Sequence, residues 1–317
     1  MLKLSITSIL MTVFFACFSQ AKIKEDTAGI NGSSIMVTLL GTGTPLPIME
    51  RFGPGILIQA GSKTLLFDAG RGCLQRLRQL NVGYDTIDAV FFTHLHSDHI
   101  VGFPDLWLTG WLVSQRKIPL LVFGPEGTRQ MTDYLRKAYE FDIKIREEDD
   151  KASPEGSKLL TTDIEEGGVY EKDGVKVIAF LVDHYPVVPA FGYRIEYGGH
   201  SVVLSGDTRY SENLIKNAKG TDLLVHEVVI APDTLKKSDP KYNILAHHTT
   251  PEEAGKVFTA VKPKLAVYSH ISRLYGYPAS EILKRTKANY SGDTVLGEDL
   301  MSFSVGETVS VKAWDKK

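Results

Sequence analysis

The chain alternates short apolar runs with polar, glycine-punctuated breaks. "SIMVTLLGTGTP" closes a mostly apolar run on a Gly-rich turn, which predicts a strand. "GILIQAGSKTLLFDAGRG" reads as two strands joined at Gly61-Ser62. The leucines of "CLQRLRQLNV" fall on one helical face, and "AVFFTH" is a buried strand. "TRQMTDYLRKAYEF" predicts another helix, whereas residues 147–173, with "REEDDKASPEGS", read as solvated loop containing a hairpin. "VKVIAFLVDH" and "AFGYRIEYGGHSVVLSGDT" follow as strands, the latter turning tightly at Gly198-Gly199. "DLLVHEVVIA" and "LAVYSH" are strands as well. A helix starts at Thr250-Pro251-Glu252-Glu253, where Thr250 is the cap and Glu253 reaches back; another starts near Ser280-Glu281. Strands with helices between them in both halves, and no linker between the halves, predict one layered α/β domain.

The first 21 residues break this pattern. Met1-Leu2-Lys3 is a short positive start, an apolar stretch runs through Phe18, and Ser19-Gln20-Ala21 supplies small residues for cleavage. That order predicts a secretory signal peptide over 1–21, a single domain over 22–317, and a periplasmic or secreted address. In a variant of this reading, "FFAC" is a degenerate lipobox and Cys17 is lipidated. Cys17 and Cys73 are the two cysteines of the sequence, so cleavage after Ala21 leaves no intramolecular disulfide. Composition is that of a soluble globular protein, with 43% hydrophobic and 23% charged residues. A net charge of -2 gives no sign of a polyanion-binding surface, so no nucleic-acid partner is expected from bulk charge.

The chemistry concentrates in "FFTHLHSDHIVG", residues 91–102. Extended backbone places side chains i and i+2 on one side, so His94 and His96 can converge on one ion. Asp98 and His99 lie where the chain turns toward "DLWLTGWLV" and point to a second position. Imidazole and carboxylate suit Zn²⁺, Mn²⁺ or Fe²⁺, and no soft thiolate is nearby.

"THLHSDH" at 93–99 resembles the signature of the metallo-β-lactamase superfamily. Further stations follow in order: Asp68 in "LLFDAGRG", His184 in "VDHYPVVPAFGYRI", Asp207 in "LSGDT", His226-Glu227 in "LLVHEVV", His247-His248 in "AHHTT" and His270 in "VYSHIS". Together they resemble the branch holding ribonuclease Z and the metallo-β-lactamase-type arylsulfatases, over about residues 36–275. The resemblance implies a four-layer αββα sandwich with two Zn²⁺ per chain. His94, His96 and His184 would hold one ion, Asp98, His99 and His270 the other, and Asp207 would bridge both. Two such ions share a hydroxide as nucleophile and stabilise charge developing at the attacked centre. Asp68 would hydrogen-bond a ligand histidine and fix its tautomer. The resemblance makes His248 the general acid, with Glu227 orienting it against the depressing effect of the cations and a helix N-terminus. His226 and His247 are read as structural, and His200 as surface.

Ribonuclease Z proteins carry a long transfer-RNA-gripping arm between the "GYR" and "GDT" stations. Here ten residues, Ile195 to Leu204, separate Arg194 from Ser205. With the signal peptide, that shortness shifts the expectation to an exported hydrolase of a small anionic ester, an arylsulfate or a phosphodiester. Trp107, Trp111, Tyr185, Phe191 and Tyr275 would line an apolar pocket for the leaving group, and Arg273 would neutralise an oxyanion. The alternatives are a β-lactam or lactone hydrolase, a transfer-RNA 3′-end endonuclease and a non-catalytic metal-binding protein. By resemblance the chain is expected to form a homodimer.

Overall fold

The computed structural model describes residues 32–315, so the expected signal peptide and Cys17 lie outside the described residues. The first half runs β1 (Ile35–Gly41), β2 (Gly55–Ala60), β3 (Lys63–Phe67), α1 (Cys73–Gln79), β4 (Ala89–Phe91), α2 (Ser97–Ile100), α3 (Phe103–Leu112), β5 (Leu120–Gly124), α4 (Thr128–Ala138), α5 (Glu140–Glu148) and β6 (Leu159–Asp163). The second runs β7 (Gly167–Lys172), β8 (Val175–Leu181), β9 (Phe191–Tyr197), β10 (His200–Leu204), α6 (Glu212–Ala218), β11 (Leu223–Ile230), α7 (Tyr242–His247), α8 (Pro251–Val261), β12 (Leu265–Arg273) and α9 (Ser280–Thr286). Three short strands close the chain: β13 (Thr294–Leu296), β14 (Ser302–Val305) and β15 (Val309–Lys312).

Two mixed sheets result. One has the order β15-β14-β1-β2-β3-β4-β5-β6, the other β13-β12-β11-β10-β9-β8-β7. In each, an antiparallel meander gives way to parallel strands: β3 to β6 in the first sheet, β10 to β13 in the second. Parallel strands need crossover connections that cover the sheet faces, so their sequences lose the polar alternation. "LLVHEVVI" of β11 is buried at every position, as that rule requires.

The main core lies between the sheets, with Val37, Ile58, Phe67, Phe91, Tyr193, Leu204, Val225 and Val267 among its buried members. A second cluster packs α1 and α3 on the outer face of the first sheet through Leu77, Phe103, Trp107 and Trp111. A third packs α6, α8 and α9 on the second sheet through Leu214, Phe258 and Ile282. The layers are therefore helix, sheet, sheet, helix, the expected αββα sandwich. The Thr250 capping box is present in full: its hydroxyl accepts from the Glu253 amide, and the Glu253 carboxylate accepts from the Thr250 amide.

One segment departs from the reading of the sequence. Residues 147–173 are not mainly loop: β6 adds to the edge of the first sheet, and β7 forms its hairpin with β8 across Asp173-Gly174. The "LLTTD" of β6 is half-buried or exposed throughout, so its apolar signal is weak, as at many edge strands.

Candidate metal centre

The parallel strands of both sheets end at one rim, and the chemistry collects there. β4 stops at Phe91; Thr93 to His96 continue as loop, and α2 opens at Ser97. His94 therefore approaches from the loop, while Asp98 and His99 come from the first turn of α2. His184 follows β8, Asp207 follows β10, and His270 sits within β12. Two backbone distortions help. Gly206 is left-handed (φ 60°), and a Cβ there would lie 2.5 Å from the Phe191 carbonyl oxygen. His270 has φ 44° where the β11–β12 register shifts, a bulge that re-aims one side chain at a cost of about 1–3 kcal/mol.

Seven side chains meet in two adjoining groups, His94, His96, His184 and Asp207, and Asp98, His99 and His270, and a third set, Asp207, His248 and His270, overlaps both; the ligand atoms within each set lie within 4.8 Å of one another. His94 Nε2 is 2.9 Å from His96 Nδ1, and His184 Nε2 is 3.4 Å from the same atom. Asp207 Oδ2 stands 3.9 Å from His94 Nε2 and 4.0 Å from His184 Nε2. The same oxygen is 3.4 Å from the Nε2 atoms of both His99 and His270. Asp98 Oδ2 closes the second group at 3.6 Å and 3.4 Å from those nitrogens. Tetrahedral zinc with bonds near 2.0–2.1 Å separates its ligands by roughly 3.3 Å, so these spacings are those of a coordination shell. His99 Nε2 is buried without a hydrogen-bond partner among the described residues and lies near two carboxylates, as a ligand nitrogen would. The residues fit a pair of divalent ions.

The far sides of these rings are held. His99 Nδ1 is 2.8 Å from Asp68 Oδ2, and Asp68 also accepts from the Thr93 amide and hydroxyl. His94 Nδ1 is 3.0 Å from the Thr93 hydroxyl, and His184 Nδ1 lies 3.0 Å from the His247 carbonyl oxygen. Such partners fix tautomer and ring orientation. Electrostatics agree with this arrangement for three of the rings, whereas His99, despite burial, is held well above the ordinary imidazole value by the Asp207 and Asp68 carboxylates. Burial, then His99, holds His94 well below the ordinary imidazole value, and burial also lowers His96 and His184. Neutral imidazole is the form that binds a cation. Burial opposes charge on Asp207 and Asp98, yet their histidine neighbours outweigh it and hold both below the usual carboxylate range.

His248 stands beside the cluster, its ring 5.1 Å from that of His184 and stacked at 5.5 Å on that of His270. Its Nδ1 is 3.3 Å from Glu227 Oε2, an ion-pair distance, although neither atom has a well-aligned hydrogen bond. Burial works against a charged His248, but the Glu227 carboxylate prevails and pushes it up to about 9. Glu227 is itself fixed, because its Oε1 accepts from the Thr249 and Thr208 amides.

The centre opens into a cleft of about 570 Å³. One wall is the β1–β2 loop, with Leu46, Ile48 and Arg51; the other is Lys241, Ile244 and His247, with Arg273 and Leu274 beyond. Sequence reasoning missed Arg51 and Lys241, which adjoin the ligands only in space.

Several aromatic expectations fail. Trp107 and Trp111 are buried beneath the first sheet, their indole N–H groups donating to the Ser157 and Ser153 carbonyls. Their spacing of four marks the core-facing side of α3, away from the cleft. Phe191 is core too. Tyr185 and Tyr275 are exposed, but neither is among the residues that line the cleft. His226 is buried, with Nδ1 against the Glu227 carbonyl, in keeping with a structural role. His200 is half-buried beside Asp222 rather than free on the surface.

This sandwich, with His and Asp clusters able to bind metal at its rim, defines a hydrolase of the metallo-β-lactamase fold. The chain belongs to the β-lactamase superfamily, whose domain model matches residues 63–271. It is 38% identical to a "Ribonuclease Z" of Mycolicibacterium gilvum over 242 residues, covering 74% of this chain and 84% of that protein. A "Ribonuclease Z" of Mycobacterium bovis is 35% identical over 271 residues, 83% of this chain and 96% of the relative. Among solved structures, a metallo-β-lactamase-fold protein from Bacillus subtilis superposes with TM-score 0.68 at 20% identity, covering 86% of this chain and 99% of its own. Human tRNase Z, short form, gives 0.61 at 24% identity, covering 84% and 98%.

These relatives overturn the expectation of an exported hydrolase of small anionic esters. The argument for it rested on the ligand set, the missing arm and the expected signal peptide; the last lies outside the described residues, and the β9–β10 connection is indeed a bare hairpin, with His200 paired to Tyr197. Yet the Mycobacterium bovis protein aligns with this chain over 96% of its length. A short hairpin does not separate this chain from proteins of that name. The relatives' names also conflict with the exclusion of nucleic acid from bulk charge, and that bulk figure says nothing of Arg51, Lys241 and Arg273, which line one cleft.

Proposed function

We propose that this chain is a zinc-dependent phosphodiesterase that cleaves RNA, as the name of its relatives indicates for them. The observation that carries the reading is the placement of His248, braced by Glu227, against a rim that gathers seven metal-type ligands. Two zinc ions per chain would be held by His94, His96, His184 and Asp207, and by Asp98, His99 and His270. When bound, the metal pair supplies a nucleophile near neutral pH and positive charge for the phosphoryl oxygens.

The chain's own groups do the rest. Asp207 Oδ2 stands between the two ligand groups and sets their separation. His248 Nδ1 faces Glu227, so the proton for the departing oxygen is held at Nε2. Arg51, Lys241 and Arg273 line the cleft and favour a phosphate there. Arg273 is steadied by donating to the Tyr277 and Gly276 carbonyls, and Arg51 by donating to Thr42 Oγ1 and the Gly297 carbonyl. Apolar walls at Leu46, Ile48 and Ile244 exclude water around the reacting bond.

The test is incubation of zinc-loaded protein with a 3′-extended transfer-RNA precursor, with metal content measured in parallel. Cleavage that disappears in His248→Ala at unchanged zinc content supports the reading. A fully loaded protein that leaves the RNA intact refutes it.

A further inference from the structure

Two exposed tyrosines follow ligands of different groups, Tyr185 after His184 and Tyr275 after His270, and neither is used by the chemistry above. Tyr185 directly follows the ligand His184 and is 62% exposed. Tyr275 lies five residues beyond His270, next to the cleft-lining Leu274 and Gly276, and is 54% exposed. A free tyrosine at a loop tip has no reason to be held, but both of these are. The Arg209 guanidinium sits 6.0 Å from the Tyr185 ring centroid, and the same arginine donates to the Tyr185 and Ala246 carbonyls. The Lys241 ammonium sits 4.2 Å from the Tyr275 centroid, while the Tyr275 hydroxyl donates to Asp239 at 2.6 Å. Tyr275 is also pinned in the left-handed region at φ 56°, a strained conformation for a bulky residue. Each ring is thus a fixed flat surface with a cation behind it, and each keeps more than half of its surface in water.

We infer that Tyr185 and Tyr275, each close in sequence to a different ligand group, are stacking platforms for unpaired nucleotides next to the scissile phosphate. The inference rests on the RNA-cleaving reading and adds to it the conformation of the substrate. A base offers a π-face to an aromatic ring whatever its identity, and each stacked base is worth about 1–3 kcal/mol. The backing cations add attraction for the phosphates on either side and strengthen the stack. Stacking on two fixed rings demands that bases leave the duplex, so the preferred substrate is single-stranded across the cleavage point. With a short β9–β10 hairpin, this pair supplies grip close to the reacting bond.

The experiment compares wild type with Tyr185→Leu, Tyr275→Leu and Tyr275→Phe on an unstructured RNA and on bis(p-nitrophenyl) phosphate. Tyr134→Leu, at an exposed ring on α4, is the control. Each leucine variant is expected to raise the KM for RNA about tenfold and to lower the ratio of RNA to small-diester turnover by a similar factor. Tyr275→Phe should recover most of the loss, because the ring remains. Annealing a complementary strand across the cleavage point should suppress wild-type turnover. Leucine variants with wild-type KM, or a duplex cut as fast as the single strand, would overturn the inference. A loaded wild type that cuts only the small diester would instead refute the RNA reading itself.

Discussion

Replacing Glu227 by glutamine isolates what the carboxylate does for His248. Glutamine keeps the size of the buried side chain and an oxygen for the Thr249 and Thr208 amides, now at 2.8 and 3.3 Å, so the fold should survive. What changes is the charge 3.3 Å from His248 Nδ1. The carboxylate raises His248 from 6.5 to about 9, equivalent to roughly 3 kcal/mol at 1.36 kcal/mol per pKa unit. Without it, burial is the largest remaining influence and lowers the value, with Asp207 opposing it. The sign follows: an acid catalyst works while protonated, so the alkaline limb of the rate profile should move down by about two pH units in Glu227→Gln. Bound cations lower both enzymes alike and drop out of the difference. At pH 7.5 the variant should turn over RNA at least about tenfold more slowly and regain rate as the pH falls toward 6. The assay is kcat for RNA between pH 5.5 and 9.5, with bis(p-nitrophenyl) phosphate alongside. Nitrophenolate departs as a stable anion, so its release should be nearly insensitive to the substitution. An alkaline limb that stays in place for RNA, or an equal loss on both substrates, would refute the role given to this pair.

Other consequences can be checked directly. Asp68→Asn removes the carboxylate 2.8 Å from His99 Nδ1 and should weaken zinc binding about 10- to 100-fold in chelator competition; unchanged affinity would remove Asp68 from the site. Gly70→Ala would place a Cβ 2.4 Å from the Asp98 carbonyl oxygen and 2.5 Å from the Gly53 carbonyl carbon, so a lowered Tm and lost zinc are expected together. The Cys73 thiol is fully buried and pushed up to about 12, so native protein should resist thiol labelling at pH 8 while urea-unfolded protein reacts. The folded chain keeps this proton while the unfolded chain loses it above about pH 9, so stability is complete below that point. It should then decline by about 1.4 kcal/mol per pH unit toward pH 12, and Cys73→Ala should flatten this part of the slope in urea titrations.

Most of the centre was legible because its residues sit where predicted strands stop. His94, His96, Asp98 and His99 are local to one loop, and a pattern so dense in chelating groups has few other uses. Asp207 and His270 each end an apolar run. The Trp107–Trp111 pair misled because helical spacing reveals that two residues share a face without revealing which face is covered. Burial of α3 against the first sheet is a tertiary fact. Lys241 and Arg51 were invisible for the opposite reason: nothing in "SDPKYN" or "MERFGP" marks them until folding brings both to one cleft. β6 escaped notice because an edge strand half in water needs little apolar content. The substrate argument failed where it treated a missing insertion as evidence, although an absent arm leaves the reaction at the rim untouched.

The two ligand groups do not come from single halves of the chain. His94, His96, Asp98 and His99 ride on the first sheet, whereas His184, Asp207 and His270 ride on the second, so each ion would be clasped from both sides. Bound metals would then act as rivets across a seam, and their occupancy would report whether the two halves are docked. Stripping the ions with a chelator should loosen that joint before either sheet melts. Amide exchange should quicken first at Thr93–His99 and Gly206–Thr208, while the middles of β2 and β11 stay protected.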